Sequence, residues 1–329
     1  MNSAALLTVT DLRVIFDGDR GSRTEAVSGI SFSLQPGRTL GIVGESGCGK
    51  SVTALSIMRL LPRIGTRVSG TVLFEGRQLA ALPERQMQDL RGNRLAMIFQ
   101  EPMTSLNPSF TIGDQIGESL IRHRGLSARE ARAAAIDMLE RVRIPSPRYR
   151  VDEYPHKLSG GMRQRIMIAM ALACAPALLI ADEPTTALDV TIQAQILDLL
   201  AKLQAETGTA IILITHDLGV VAETCDEVAV MYAGEIVEQA TAARLFSAPE
   251  HPYTVGLIGS IPHISGRRGR LATIPGSVPN LAGPFTSCRF SERCPFADSR
   301  CRSQAPPLAA VASDHLSRCW KAPLEGLVA

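Results

Sequence analysis

A run of eight residues near the N-terminus constrains the fold of this chain more than any other feature. It reads Gly44-Glu45-Ser46-Gly47-Cys48-Gly49-Lys50-Ser51, which matches the pattern G-x-x-x-x-G-K-S/T. The run follows an apolar stretch, Thr39 to Val43, and precedes a helical stretch, Ser51 to Leu61, that Pro62 ends. A glycine-rich loop between a buried strand and a helix can wrap its backbone N–H groups around a phosphate. The run therefore predicts an α/β fold in which Lys50 contacts the β- and γ-phosphates and the Ser51 hydroxyl binds Mg²⁺.

The remaining pattern alternates strands with helices. Residues Leu6 to Leu34 alternate apolar and polar side chains around a polar break at Asp17 to Ser22, which predicts two antiparallel strands joined by a turn. Further strands are predicted at Gly70–Phe74, Leu95–Phe99, Leu178–Asp182, Ala210–Thr215 and Val228–Tyr232, with helices at Ala128–Val142 and Ile192–Glu206. This order predicts a parallel sheet. After about residue 250, prolines become frequent and the chain is predicted to be rich in loops.

Two carboxylates end one of these strands. Asp182 and Glu183 follow the apolar residues Leu178 to Ala181 and precede Pro184. Asp182 is predicted to hold the hydration shell of Mg²⁺. Glu183 is predicted to polarise the attacking water as a general base. Without the phosphate loop upstream, the same pair would be read as an acidic turn.

A second glycine-rich segment, Leu158-Ser159-Gly160-Gly161-Met162-Arg163-Gln164-Arg165, narrows the class of protein. Ser159 is suited to cap a helix that begins near Met162, with glycine amides free to meet an anion. The segment resembles the signature of ABC ATPases. That resemblance implies an ABC-type P-loop nucleotide-binding domain over 1–250, with a RecA-like core, an antiparallel β subdomain and an α-helical subdomain over about 101–165. It also implies that the signature meets the γ-phosphate of ATP on an opposite subunit, so a monomer would be catalytically incomplete.

The same resemblance assigns further polar residues to the site. Gln100 and His216 join Glu183 as catalytic candidates, and Gln100 also joins the Mg²⁺ ligands. Phe16 matches the aromatic residue that stacks on adenine, with packing inside a strand as the alternative. The implied nucleotide-contacting set is Phe16, Gly44, Glu45, Ser46, Gly47, Cys48, Gly49, Lys50, Ser51, Val52, Gln100, Ser159, Gly160, Gly161, Gln164, Asp182 and Asp189.

Two flanking segments point to one branch of that family. Residues Ile98 to Pro108 resemble the loop with which peptide-type importers receive a permease, and His251-Pro252-Tyr253-Thr254 resembles the start of the C-terminal extension of oligopeptide, dipeptide and nickel importers. The implied function is ATP hydrolysis that powers import of a di- or oligopeptide through two separate transmembrane permease subunits. The implied partners are a second, distinct ABC ATPase and, indirectly, an external solute-binding protein. Import of nickel or another small solute, and a non-transport ABC ATPase, stay as alternatives.

Charge, hydrophobicity and the N-terminal residues argue against a nucleic-acid-binding, a membrane-spanning or a secreted protein. The net charge is +2, from 34 basic and 32 acidic side chains, which gives no field that would attract nucleic acid. The longest uncharged run, Ile166 to Ala181, is shorter than the roughly 20 residues that cross a bilayer and contains Pro176. The N-terminal residues lack the pattern of a secretory signal. We therefore expect a cytoplasmic protein, held at the inner face of the cell membrane by its permease.

Cysteines crowd near the C-terminus. Cys288, Cys294, Cys301 and Cys319 have the spacing C-x5-C-x6-C-x17-C within the predicted extension, 251–329. Spacing alone leaves an iron–sulfur cluster, zinc and unrelated thiols open, although the lack of a C-x2-C pair weakens the zinc reading. The segment resembles the tail of dipeptide-importer subunits that carry a [4Fe-4S] cluster, which implies a loop-rich, metal-binding extension. By contrast, Cys48 lies at a predicted helix N-terminus, so we expect its thiol to be reactive.

Overall fold

The computed structural model describes residues 5–18, 21–101, 105–185, 189–261, 274–281 and 285–324. In chain order, the strands are β1 (Leu7–Asp17), β2 (Arg23–Leu34), β3 (Thr39–Val43), β4 (Thr66–Phe74), β5 (Arg77–Gln78), β6 (Leu95–Ile98), β7 (Leu178–Asp182), β8 (Ala210–Thr215), β9 (Glu227–Tyr232), β10 (Glu235–Thr241), β11 (Ala309–Ala312) and β12 (His315–Ser317). The helices are α1 (Lys50–Ile57), α2 (Glu84–Leu90), α3 (Ile112–Arg124), α4 (Ala128–Arg141), α5 (Pro147–Arg150), α6 (Gly160–Leu172), α7 (Val190–Thr207), α8 (Leu218–Thr224), α9 (Ala242–Ser247), α10 (Pro252–Gly259) and α11 (Ser299–Ser303). The chain divides into two compact units: the first comprises 1–34, 39–80 and 215–329, and the second 35–38 and 81–214.

The first unit contains an antiparallel sheet with the strand order β2-β1-β4-β5. The predicted N-terminal pair is confirmed, because β1 and β2 run antiparallel from the pair Leu7 and Leu34 to the pair Asp17 and Arg23. A second group of strands in this unit has the order β11-β12-β10-β9-β3. Within it β3 and β9 are parallel, whereas the other pairs are antiparallel.

The second unit contains the parallel strands β6, β7 and β8, with β7 in the middle. Every residue of β7 and of β8 is buried, which is typical of parallel strands covered on both faces. Helices of this unit begin at strong caps. Thr111 and Ser127 each form a reciprocal capping box, with Asp114 and Glu130 three residues on.

Helix α1 is shorter than its sequence pattern predicts. It ends at Ile57 rather than at Leu61. Arg59 has φ +53°, a left-handed conformation that an α-helix cannot continue through. The helix therefore stops before Pro62 can break it.

Residues beyond position 250 share the core of the first unit. Phe290 is 3% exposed and packs with Tyr232 and Tyr253, with ring centroids 5.2 and 5.5 Å away. Strand β12 pairs with β10 through Glu238 and Ser317 at one end. The C-terminal segment is thus held by both aromatic packing and a strand ladder, while the predicted boundary at residue 250 and the helical subdomain of 101–165 stay predictions.

Within the described ranges, none of the helices combines the length and the apolar character that crossing a bilayer requires.

Candidate nucleotide-binding site

The phosphate loop has a backbone that its glycines alone can adopt. Gly44 and Gly49 have φ +152° and +103°. A Cβ atom at Gly44 would lie 2.1 Å from the backbone oxygen of Met231, and one at Gly49 would lie 2.4 Å from that of Ala26. Both positions therefore exclude any side chain, for steric as well as conformational reasons.

Lys50 is fixed inside this loop. Its side chain is buried, and Nζ donates hydrogen bonds to the carbonyl oxygens of Gly44 at 2.7 Å and Glu45 at 3.0 Å. Lys50 is also the first residue of α1, so the cation lies beside the backbone N–H groups of a helix N-terminus. Ser46 and Gly47 are exposed, and Ser51 and Val52 are half-buried. The loop thus presents amides, a cation and a hydroxyl, which are the groups that a phosphate with its Mg²⁺ requires.

Glu45 is held by two residues that sequence reasoning did not place in the site. The backbone N–H of Glu45 donates to the Tyr253 hydroxyl at 2.9 Å. Its carboxylate accepts two hydrogen bonds from Arg293, at 2.6 and 2.9 Å. This pairing raises the pKa of Arg293, with the hydrogen bond to Glu45 as the main cause. Arg293 is 248 residues from Glu45, so no local pattern could have revealed the contact.

Cys48 corrects the expectation of a reactive thiol. Its side chain is 0% exposed, and burial is the main cause that raises its pKa. Lys50 acts in the opposite direction but does not prevail, although its Nζ lies 3.8 Å from Sγ. The prediction considered only the local helix N-terminus and was wrong because tertiary packing encloses the sulfur.

The second unit brings two of the predicted catalytic residues together. The Gln100 side chain donates from Nε2 to the Glu183 carboxylate at 2.9 Å. Glu183 has φ +46°, a left-handed backbone for a residue with a side chain, and its N–H donates to the Ile214 oxygen at 2.9 Å. Such strained residues cluster at functional sites. Asp182, the preceding residue, is buried at the end of β7.

The signature segment forms an exposed helix start, as predicted. Ser159 is the N-cap of α6, and its hydroxyl accepts a hydrogen bond from the Met162 N–H at 3.4 Å. Ser159 and Gly160 are exposed, and Gly161 is half-buried. The start of this helix is therefore accessible from solvent.

Gln164 and Asp189 have structural partners. The buried Gln164 side chain donates to the Pro184 carbonyl oxygen, next to Glu183. Asp189 caps α7 by accepting from the Ile192 N–H at 2.9 Å. Both lie within the second unit, and their predicted contacts with nucleotide stay predictions.

Phe16 and His216 belong to the first unit. Phe16 is half-buried in β1, between Thr24 of β2 and Thr66 of β4. The ring is therefore part of the antiparallel sheet, and its stacking on adenine stays a prediction. His216 is exposed directly after β8.

The four C-terminal cysteines do not form a site for a single metal ion. Among the described residues, no group of three or more His, Cys, Asp or Glu side chains is arranged to hold one. The expectation of a metal-binding extension is therefore not supported, and zinc in particular lacks the tight four-ligand shell that it needs.

Three of the four thiols nevertheless act electrostatically on the fourth, Cys288. Burial is the main cause that raises the pKa of Cys288 to about 11, and Cys301, Cys319 and Cys294 add to the shift. The backbone N–H of Lys321 donates to the sulfur of Cys319 at 3.3 Å, and the Cys288 N–H donates to the Cys301 oxygen at 2.9 Å. The four thiols thus lie near one another in a partly buried setting.

Comparisons with known proteins agree with this geometry. Residues 27–186 match the family "ABC transporter", and residues 237–301 match "Oligopeptide/dipeptide transporter, C-terminal region". The chain is 57% identical to a probable peptide ABC transporter ATP-binding protein, y4tR, of Sinorhizobium fredii, over 96% of this chain and 95% of that protein. It is 51% identical to the oligopeptide transport ATP-binding protein OppD of Salmonella typhimurium, over 98% and 95% of the two chains. It is 50% identical to the dipeptide transport ATP-binding protein DppD of Bacillus subtilis, over 96% and 94%.

Solved structures show the same fold. A dimeric structure of the ATP-binding cassette MJ0796, bound to ADP and Pi, has a TM-score of 0.64 and 26% identity, covering 72% of this chain and 98% of that chain. CbiO1 of Clostridium perfringens, part of the ABC transporter complex cbiONQ, has a TM-score of 0.62 and 28% identity, covering 74% and 91%. The P-loop fold that the sequence predicted is thereby confirmed. This chain belongs to the family of ABC transporter ATP-binding proteins, and it carries the C-terminal region of the oligopeptide/dipeptide transporters.

Proposed function

We propose that this chain hydrolyses ATP to power the import of a di- or oligopeptide through separate permease subunits. The observation that supports this most is the combination of a complete phosphate loop around Lys50 with identity of 50–57%, over nearly the full length, to proteins named for peptide transport. The chain would act on ATP and would not contact the solute. The class of solute is therefore inferred from the names of these relatives.

The site residues would have different roles in hydrolysis, according to the chemistry of their side chains. Lys50 and the loop amides would bind the β- and γ-phosphates, while Ser51, Asp182 and Gln100 would hold Mg²⁺ directly or through water. Mg²⁺, when bound, would neutralise charge on the phosphates. Glu183 would orient and polarise the attacking water. Its hydrogen bond from Gln100 would fix the direction of that carboxylate.

Hydrolysis is proposed to need a second ABC ATPase. Ser159 and Gly160 are exposed at the N-terminus of α6. The backbone amides of a helix N-terminus suit a γ-phosphate carried by another subunit. MJ0796 is a dimeric cassette of the same fold. We propose a heterodimer with a related chain, closed by ATP and reopened after hydrolysis.

A groove in the second unit is the proposed contact with the permease. It has a volume of about 1390 Å³, and its lining includes Ser105 and Asn107, which belong to the loop that resembles the permease-receiving loop. Phe110 is 53% exposed there, and Arg122 and Asp152 contribute charges. Residues 102–104 of that loop lie outside the described residues. A permease docked here would hold the chain at the cytoplasmic face of the membrane, with a solute-binding protein acting from outside.

Uptake by cells that lack the native gene tests the solute class. Cells that express the wild-type chain with its permeases should accumulate labelled tripeptide, and the Lys50→Ala variant should not. Labelled nickel, offered in parallel, distinguishes the peptide from the metal importer. Nickel uptake without peptide uptake would overturn the peptide proposal, and no dependence of either on Lys50 would favour a non-transport ATPase.

A [4Fe-4S] cluster at the four cysteines is a second proposal. The observation that favours it is that Cys294, Cys301 and Cys319 all lie near enough to Cys288 to raise its pKa, combined with the backbone N–H bond to the Cys319 sulfur. Such N–H bonds to sulfur are a normal part of cluster environments. A cluster spans more space than one ion, so this proposal is compatible with the absence of a single-ion arrangement among the described residues. When bound, it would cross-link a segment with little regular structure.

Anaerobic purification with metal analysis tests this second proposal. About four irons and four sulfides per chain are expected. They should be lost on Cys294→Ser and retained on Cys174→Ser, which changes a thiol outside the segment. A colourless protein with one zinc, or with no metal, would overturn it.

A further inference from the structure

The C-terminal cysteine segment (residues 288–319) contacts the phosphate loop at Glu45. Arg293 and Tyr253 both contact Glu45, one through its carboxylate and the other through its backbone N–H. Two distant parts of the chain therefore converge on the second position of the loop. The sequence alone gives no reason for this convergence.

Arg293 is itself held in place. Its side chain is 5% exposed, and Nε donates to the Pro275 oxygen at 2.8 Å. The guanidinium also lies 5.6 Å from the centre of the Tyr232 ring and 6.0 Å from that of Phe290. A planar guanidinium with a bidentate carboxylate and aromatic neighbours has very little freedom. The Glu45 carboxylate, 31% exposed, is thus fixed by a rigid partner rather than by a mobile surface cation.

The charge of Glu45 creates a problem for a loop that binds a triphosphate. A carboxylate on that loop repels an anionic ligand, and inside a partly buried site the repulsion is stronger than in water. Arg293 supplies the matching positive charge at 2.6 Å. The ion pair leaves the loop with the net charge of Lys50, which favours phosphate.

We propose that Arg293 is a positioning residue for nucleotide binding, which neutralises Glu45 and holds the phosphate loop in its binding conformation. The cysteine segment thereby sets the affinity of the chain for Mg-ATP. Arg293 directly precedes Cys294, so a change at that thiol lies one peptide bond from the residue that fixes the loop. This inference rests on the proposed role of the phosphate loop and adds a regulatory contact to it.

Titration of the purified full-length chain with Mg-ATP tests the inference. Arg293→Gln should weaken binding about tenfold, which corresponds to about 1.4 kcal/mol. The loss should shrink at high salt, because screening weakens the repulsion from Glu45. Arg302→Gln changes an exposed arginine of the same segment and should leave the affinity as in the wild type.

A double variant distinguishes an effect of the Arg293 charge on Mg-ATP binding from a purely structural role of the Arg293 side chain. Glu45→Gln combined with Arg293→Gln removes both charges, and it should recover an affinity within about threefold of the wild type. A double variant as weak as Arg293→Gln alone, with no dependence on salt, would overturn the charge account. Glu45→Gln alone should bind Mg-ATP at least as tightly as the wild type. Weaker binding by that variant would also overturn the account, and this measurement does not depend on whether Arg293→Gln folds.

Lys50→Ala distinguishes failure of this inference from failure of the proposed function. If Mg-ATP binding survives Lys50→Ala, the phosphate loop is not the nucleotide site, and both proposals fall. If Lys50→Ala abolishes binding while Arg293→Gln binds within twofold of the wild type, the inference alone is wrong.

Discussion

Replacing Glu183 with Gln should separate ATP binding from ATP hydrolysis. The amide of Gln has nearly the shape of the carboxylate, and its oxygen can still accept the 2.9 Å hydrogen bond from Gln100. The bond from the backbone N–H of residue 183 to the Ile214 oxygen is independent of the side chain. Changing a charged acceptor to a neutral one costs about 1 kcal/mol, so the local structure should persist.

The chemical step should suffer far more. Loss of a general base or of a water-polarising carboxylate slows a reaction by about 10²–10⁴-fold, which corresponds to roughly 2.7–5.5 kcal/mol of barrier. The assay is phosphate release by the assembled transporter, with Mg-ATP binding measured in parallel. We expect unchanged binding and a rate lowered by at least two orders of magnitude.

A matched control is Glu206→Gln. Glu206 is an exposed carboxylate that pairs with Arg141 at 2.6 Å on the surface of the second unit, and such pairs contribute at most about 1 kcal/mol. Its rate should match that of the wild type. Hydrolysis by Glu183→Gln within threefold of the wild type would refute the assignment of Glu183.

Three further predictions concern stability and accessibility. Gly44→Ala should destabilise the chain by about 2–4 kcal/mol, because its Cβ would meet the Met231 oxygen. Gly47→Ala, with open space around the added Cβ, should cost only about 1 kcal/mol. Urea unfolding measures both free energies, and equal costs would contradict the clash at Gly44. Cys48 should react with maleimide much more slowly than an exposed thiol, with or without Mg-ATP, because its sulfur is buried. Mass spectrometry measures the labelling, and rapid labelling of Cys48 would contradict its burial. Burial lowers the pKa of His251 to about 3 from its ordinary value near 6.5, so the unfolded chain binds more protons between these values and stability falls as the pH drops through that window. His251→Asn, which keeps an acceptor for the Tyr253 N–H, should flatten the pH dependence of the urea midpoint relative to the wild type, and an identical profile would refute this.

The elements that sequence patterns predicted best are those fixed by local rules. The bounds of β7 and β8 agree with the prediction, because each is a continuous apolar run that ends at a polar residue, Asp182 in β7 and Thr215 in β8. Ser159 was correctly expected to cap a helix, since capping needs only a hydroxyl three residues before an N–H. The phosphate loop was evident because its glycine spacing encodes its backbone.

What the sequence could not supply depends on distant residues. The contact between Glu45 and Arg293 has no local signature, because the two residues are 248 positions apart in the chain. Cys48 was misjudged because tertiary packing buries its sulfur, and this burial raises the pKa of the thiol by more than Lys50 lowers it. The early end of α1 follows from the left-handed conformation of Arg59, which propensity does not predict.

Transport by the purified complex in vesicles tests the central claim most directly. The wild-type chain, its partner ATPase, the permeases and the solute-binding protein would be reconstituted, with Mg-ATP supplied only on the side of the ATPases. We expect labelled peptide to move towards that side, with phosphate release that increases when peptide is present, and both activities should vanish with Lys50→Ala and fall together with Glu183→Gln. Peptide movement at the wild-type rate in either variant would contradict the claim that this chain powers import.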